Sequence, residues 1–308
     1  MLDQASDGRR LPFAGIELGG TKCICTLAHG PDAIVDQVTI ATTVPDETLP
    51  AILDTLRRWE REHGFAAIGV ASFGPLCLDE RHANYGRILA TNKPGWRDAD
   101  VIAAVARPFG CPVGFDTDVN GAALAEMRWG CATGLEDFAY VTVGTGVGVG
   151  LIVHGQPTRG LGHSEIGHIR VPRLPGDNAP SACRYHGDCV EGLASGSALV
   201  LRLDGRAVDQ VADDDPVWEP IVATLAAMCH AIVATTGPMR IAIGGGMPVR
   251  QPHLVPRIAD ALVKSLAGYM DLPSPTDFIV APALGDLAGP LGSIALACGA
   301  VDAAEARR

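Results

Sequence analysis

Leu49, Ile52, Leu53, Leu56 and Trp59 recur at spacings of three and four, a period that predicts an amphipathic helix ending near Gly64. Around it the apolar positions fall in short blocks read as strands: Phe13–Leu18, Cys23–Leu27, Ala33–Thr42 and Ile68–Phe73, the last stopped by Gly74-Pro75. A helix is expected near Ala99–Ala106, a strand at Val113–Asp116, a helix from Asn120 to Arg128, and strands at Phe138–Val143 and Leu151–His154. Beyond these the pattern gives a long helix at Val217–Thr235, a strand at Arg240–Ile243, a helix at Leu254–Tyr269, a strand at Phe278–Ala281 and a terminal helix. Strands alternating with helices define an α/β protein. The sequence strand, glycine turn, strand occurs twice, at Gly19-Gly20 and in the run Gly144–Gly150, about 125 residues apart. That repetition predicts two related domains facing each other.

Composition narrows the class. The 308 residues leave room for two domains of ordinary size. With 47% hydrophobic and 19% charged residues the chain reads as a soluble globular protein rather than a disordered one. A formal charge of −11 disfavours a nucleic-acid partner, because no basic run compensates for it and Arg9-Arg10 and Arg307-Arg308 are only short pairs. No membrane span is expected, since the longest apolar stretch, Ile221 to Thr236, holds His230 and falls short of the ~20 residues a bilayer requires. The polar first ten residues lack the apolar core of a signal peptide. Nine cysteines at irregular spacing do not form a disulfide framework, and a reducing cytoplasm is the expected location. Cys23, Cys25, Cys77, Cys111, Cys131, Cys229 and Cys298 lie in apolar surroundings and are expected in or near the core.

The other two cysteines stand apart. A tight hexad, His163-Ser164-Glu165-Ile166-Gly167-His168, is followed by Cys183-x-x-His186-x-x-Cys189. His168, Cys183, His186 and Cys189 make a four-ligand set suited to tetrahedral zinc, with no position left open for water. The alternative is a polar loop with cysteine and histidine by chance. Glu165 and Glu191 sit directly beside these residues.

Three glycine-rich segments suggest nucleotide chemistry. Gly15-Ile16-Glu17-Leu18-Gly19-Gly20-Thr21-Lys22 lacks the Walker spacing, yet a glycine hairpin brings backbone N–H groups and a threonine hydroxyl against phosphate oxygens. By itself Gly-Gly is also an ordinary hairpin turn. A second turn around Thr145 and Gly146 strengthens the phosphate reading, and Gly244-Gly245-Gly246 after a buried strand would let a flat ring approach the backbone. Asp116-Thr117-Asp118-Val119-Asn120 lies where a strand passes into a helix, the usual place for ligand sites in α/β proteins. Asp116 reads best as a turn or cap residue, and Asp118 as a general base for an attacking hydroxyl. Asn92, Asn120, Glu165 and Glu191 together would suit a polyol.

GIELGGTK, DTDVNGAA, VTVGTGVGVG, the HSEIGH hexad with its Cys/His loop, and IAIGGGMP follow one another in the order seen in the ROK sugar kinases. The chain resembles that family from about Phe13 to Gly299, and YGRI…NKPGW with CRYHGDCVEGLASG looks most like its bacterial fructokinase branch. The resemblance implies the two-domain actin-like, hexokinase-like (ribonuclease H-like) fold, with ATP and magnesium in an interdomain cleft and zinc as a structural ion. The expected division is an N-terminal α/β domain over 1–117, completed by the terminal helix at 290–308, and a larger domain over 118–289 carrying the zinc loop. By the same resemblance Asp118 is the catalytic base, and Asn92, Thr117, Glu165, His168 and Glu191 belong to the sugar region. Gly19, Gly20, Thr21, Lys22, Thr145, Gly146 and the triple glycine 244–246 correspond to the nucleotide-binding segments. The partners implied are a hexose and ATP, and relatives are commonly homodimers.

Thr117 stands where many family members carry Asn, and the Cys-x-x-His pattern replaces the Cys-x-Cys-Gly of glucose-specific members. Glu17 takes the place of an aspartate, with a possible role in positioning magnesium through water. About twelve residues before the first strand are too few for the helix-turn-helix of the family's repressors. The expected activity is transfer of phosphate from ATP to D-fructose. The alternatives are a mannose, glucose or N-acetylmannosamine kinase, a non-catalytic sugar sensor, and, least compatible with four protein ligands, a zinc hydrolase.

Overall fold

The computed structural model describes residues 11–308; the polar first ten residues, Arg9-Arg10 among them, lie outside the described residues. The chain divides into two compact units, one of residues up to Gly121 plus Gly289–Arg308, the other Ala122–Ala288.

In the first unit β1 (Phe13–Leu18), β2 (Lys22–Ala28) and β3 (Ile34–Ala41) form an antiparallel meander, followed by α1 (Pro45–Glu62). β4 (Ile68–Ser72), the short α2 (Val101–Val105) and β5 (Val113–Thr117) come next, and α3 (Asp118–Trp129) begins at the unit's edge and runs on into the second unit. The sheet order is β3-β2-β1-β4-β5, with β1, β4 and β5 parallel. Most of the apolar stripe of α1 is used: Leu49, Ile52, Leu56 and Trp59 are buried against the core of this sheet, while Leu53 is half-buried.

The second unit repeats this plan. β6 (Phe138–Val143), β7 (Val147–Val153) and β8 (Gln156–Pro157) form the meander. α4 (Val190–Ala194), α5 (Gly196–Leu203) and α6 (Trp218–Thr236) precede β9 (Arg240–Gly244). Then come α7 (Gly246–Arg250), α8 (Leu254–Leu266), α9 (Pro275–Phe278), β10 (Ile279–Val280) and α10 (Ala288–Ala306), whose residues from Gly289 onward belong to the first unit. The sheet order is β10-β9-β6-β7-β8, with β6, β9 and β10 parallel. Strand for strand this matches the first sheet, so the duplication expected from the two glycine turns extends to five strands.

Two expectations need correction. The glycine run 144–150 is a turn only as far as Gly146; Val147–Val153 is strand, because alternate Val residues face the core while the glycines between them add no side chain. Two helices, Trp218–Thr236 and the stretch Gly285–Ala306, are in fact long and apolar enough to cross a membrane. In α6 that apolar length lies inside the fold: Trp218, Ile221, Leu225, Met228, Cys229 and Ile232 are fully buried.

α10 sits on the first sheet through a row of glycines. Gly15, Gly69 and Gly114 are in register across β1, β4 and β5. A Cβ on Gly69 would stand 1.8 Å from the Ser293 carbonyl oxygen, and one on Gly114 would stand 2.2 Å from that of Leu296. Those spacings leave the helix backbone resting directly on the sheet.

Among the described residues no cysteine forms a disulfide; Cys23, Cys25, Cys77, Cys229 and Cys298 are buried and Cys111 and Cys131 partly so.

Candidate active site

Register assembles the first unit's share. Leu18, Ser72 and Thr117 are aligned partners at the ends of β1, β4 and β5. The hairpin that follows Leu18 and the helix that starts at Asp118 therefore emerge from one edge of the sheet. Asp116 is fully buried and accepts the Thr117 N–H (2.7 Å) and the Asn120 side-chain amide (2.8 Å). Asp116 therefore serves the fold, as a strand residue rather than the expected turn or cap, and Asn120 is buried with one amide N–H given to Asp116. The Thr117 hydroxyl, also buried, accepts the Asn120 N–H at 3.1 Å, a bond that stabilises the first turn of α3. Asp118 follows in that first turn, with one carboxylate oxygen accepting the Val119 N–H at 2.9 Å.

Glu17 faces the same region. Burial pushes its carboxyl up to about 7, the Asp118 carboxylate adds to the rise, and the Lys22 ammonium opposes it. Its Oε2 is buried and, among the described residues, has no hydrogen-bond partner. Gly289 makes room for it: a Cβ there would stand 2.1 Å from Glu17 Oε1.

The Gly19–Lys22 hairpin is closed by the Gly19 N–H on the Lys22 carbonyl (3.1 Å), and Gly20, Thr21 and Lys22 are exposed. The Thr42 N–H holds the Thr21 carbonyl at 3.0 Å. Asn92 is exposed on a loop anchored by the buried Trp96, whose indole N–H donates to the Thr43 carbonyl (2.7 Å) and whose ring meets Phe73 edge-on at 5.4 Å. Lys93 Nζ donates to the Gly20 carbonyl at 2.5 Å. Sequence reasoning passed over Lys93; its place between Asn92 and the Pro94-Gly95 turn was the available signal.

In the second unit the turn Gly144–Gly146 is closed by the Gly144 N–H on the Gly146 carbonyl (3.0 Å). The start of α5 holds it from behind: the Gly196 N–H donates to the Gly144 carbonyl (2.7 Å) and the Ser197 hydroxyl to the Thr145 carbonyl (2.9 Å). Thr145 itself is exposed. At Gly244–Gly246 the chain's own atoms take the space a side chain would fill. Pro282 lies over Gly244, Thr142 and Val143 over Gly245, and the Arg250 guanidinium over Gly246. Gly244 and Gly245 are thus required by internal packing, whereas over Gly246 stands only the movable end of the Arg250 side chain.

The Cys/His residues converge. The ligand atoms of His168, Cys183, His186 and Cys189 lie within 4.8 Å of one another. Cys183 Sγ is 3.8 Å from His168 Nδ1 and 3.7 Å from His186 Nδ1, and Cys189 Sγ is 3.8 Å from His168 Nδ1. A tetrahedral zinc with ordinary Zn–S and Zn–N bonds separates sulfur from nitrogen by about 3.6 Å, so these four residues fit the ion. The Gly192 N–H points at Cys189 Sγ (3.3 Å), as amides do toward metal thiolates. The surrounding loop is pinned by Arg173, paired with Asp188 at 2.7 Å, and by the buried Arg202, which grips Asp177 through two bonds of 2.8 and 2.9 Å. Glu165 is exposed, with Oε1 3.5 Å from His163 Nδ1. Glu191, in the first turn of α4, accepts the Val147 N–H.

Residues 13–300 match the ROK family, and the chain belongs to it. It is 38% identical to a putative fructokinase of Bacillus subtilis, over 94% of this chain and 97% of that one. It is 39% identical to a fructokinase of Zymomonas mobilis with the same coverage of each. Among solved structures, a ROK hexokinase of Thermus thermophilus superposes with a TM-score of 0.77 at 28% identity, covering 95% of this chain and all of that one. A ROK glucokinase of Streptomyces griseus, in complex with glucose and AMPPNP, gives 0.74 at 25% identity over 94% and 99%. The fold is the two-domain actin-like fold of these sugar kinases.

Proposed function

We propose that this protein is an ATP-dependent fructokinase that converts D-fructose and ATP to D-fructose 6-phosphate and ADP. The observation that carries the reading is the shared strand edge, from which both Asp118 and the Gly19–Lys22 hairpin emerge. Asp118 takes the proton of the 6-hydroxyl as that oxygen attacks the γ-phosphorus. Backbone N–H groups of the hairpin and of the Thr145–Gly146 turn stabilise charge on the phosphates. Magnesium, when bound with ATP, neutralises part of that charge. Asn92, Thr117, Glu165, His168 and Glu191 form the sugar region, and the Gly244–Gly246 segment the floor for adenine.

His168, Cys183, His186 and Cys189 would hold a structural zinc, and the fit of their donor atoms supports this assignment. Fructose is favoured over other hexoses by the likeness to the Bacillus, Zymomonas and Pediococcus enzymes, at 38–39% identity. The proposed assembly is a homodimer, by analogy with the family, which light scattering measures directly. The proposed location is the cytoplasm, in keeping with nine free thiols.

An ADP-release assay with fructose, mannose, glucose and N-acetylmannosamine tests the assignment. The highest kcat/KM is expected on fructose. Preference for an N-acetylated amino sugar would sink the fructose assignment, and sugar binding without turnover of ATP would point to a sensor.

A further inference from the structure

One side chain that this scheme leaves out joins the loop carrying Asn92 to the glycine hairpin. Lys93 Nζ reaches the Gly20 carbonyl across 73 residues of sequence. Its loop is stiffly held: the Lys93 N–H donates to Thr91 Oγ1 (3.3 Å), the Lys93 carbonyl accepts the Trp96 N–H (3.2 Å), and the Trp96 indole is fixed on the Thr43 carbonyl. The hairpin is tied to the neighbouring residue, Thr42, whose N–H holds the Thr21 carbonyl. Among the described residues no carboxylate pairs with Lys93, and an ammonium group has three protons, of which Gly20 takes one.

The peptide between Gly20 and Thr21 decides what this contact does. In a trans peptide the C=O and the following N–H point in opposite directions. A lysine on the Gly20 carbonyl therefore aims the Thr21 N–H to the far side of that peptide. Gly20 brings no side chain, and nothing stands within 4 Å of where its Cβ would be, so no side-chain packing at Gly20 helps to orient the peptide.

We propose that Lys93 is a positioning residue for phosphoryl transfer: it orients the Gly20–Thr21 peptide so that the Thr21 N–H meets a phosphate of ATP. This rests on the kinase reading of the hairpin. It also links the sugar loop mechanically to the phosphate hairpin through adjacent residues, Asn92 and Lys93.

The test compares wild type, Lys93→Met and Lys93→Arg by steady-state kinetics and by calorimetric titration with magnesium–ATP and, separately, fructose. Lys93→Met is expected to lower kcat by about ten- to hundredfold and to weaken ATP binding, with fructose binding changed less than about threefold. Lys93→Arg, which keeps charge and donors, should recover much of the loss. Lys93→Met with kcat and ATP binding within about threefold of wild type overturns the proposal. So does a matching loss of fructose binding with a lowered melting temperature, which would make Lys93 a mere brace of the loop. If wild type phosphorylates no hexose, the fructokinase reading fails by itself, while ATP titration of the two forms still decides the role of Lys93.

Discussion

Glu191 accepts the backbone N–H of Val147 at 3.2 Å, across 44 residues of sequence. Val147 opens β7 directly after the Gly144–Gly146 turn, and Glu191 follows Cys189 by two residues. A Cβ on Gly146 would stand 2.5 Å from Glu191 Oε2, so the turn has glycine where the carboxylate must fit. Gly167 of the HSEIGH hexad packs on the other side of the same residue, since its Cβ would fall 2.0 Å from the Val147 carbonyl oxygen. Val147 is therefore held by both arms of the Cys/His loop. A residue expected to serve the sugar is also bonded to the turn expected to serve phosphate.

Removal of the proposed zinc should therefore affect binding of both proposed substrates. A zinc-selective chelator, applied with magnesium in excess, is expected to raise KM for ATP as well as for fructose, because Glu191 loses the fixed Cys189 behind it. Metal content by atomic emission and the two KM values provide the check. Metal-free protein with both constants unchanged would show that the four ligands do not support the site.

Asp118→Asn should keep its place at the start of α3 while losing the ability to take a proton. General-base catalysis contributes about 10²–10⁴-fold, so kcat should fall by at least about a hundredfold with fructose affinity nearly retained. Near-normal turnover would remove Asp118 from the mechanism.

The strand and helix cores were legible because each carries its own period: Phe13–Leu18 and Phe138–Val143 match the expected bounds, and the long helix is displaced by one residue. The second glycine turn was overextended because Gly-Val alternation reads as flexible backbone when the strand partner β6 is not in view. α4 and α5 were missed since Val190–Leu203 begins inside the Cys/His loop, and its helical start depends on caps by Cys189 and Ser195. The convergence of His168, Cys183, His186 and Cys189 was legible from their spacing. The burial of Asn120 was not legible because its partner, the Asp116 carboxylate, is four residues away on the far side of a strand end, a relation fixed by tertiary burial. The contact of Lys93 with Gly20 and the Gly15–Gly69–Gly114 row were invisible for a different reason: contacts over long sequence separation leave no local pattern.

That glycine row gives a paired stability test on α10. Gly69→Ala places a methyl 1.8 Å from the Ser293 carbonyl oxygen and 2.6 Å from the Ala297 nitrogen, both backbone atoms that cannot turn aside. A loss at or above about 3 kcal/mol is expected. Gly299→Ala, on an exposed face of the same helix with nothing within 4 Å, should gain about 0.5–1 kcal/mol from helix propensity. Urea unfolding of the two variants measures both; a small loss for Gly69→Ala would mean that the helix does not rest on the sheet.

The carboxyl of Glu17 gives stability a pH dependence of its own. In the unfolded chain it titrates near 4.5, whereas burial, with the Asp118 charge adding and Lys22 opposing, raises it to about 7 in the folded protein. Between those values the native state holds a proton that the unfolded state has released. The contribution is thus fully present below pH 4.5 and is lost as pH rises through 7, by roughly 3 kcal/mol over the window. Glu17→Gln stays neutral at every pH and has no such loss. In magnesium-free buffer, the stability of the variant relative to wild type should rise from pH 5 to about pH 7 and level off above it, as read from urea midpoints at each pH. Parallel curves for the two proteins would mean that Glu17 ionises in the folded state as it does in water, and that its buried oxygen is solvated after all.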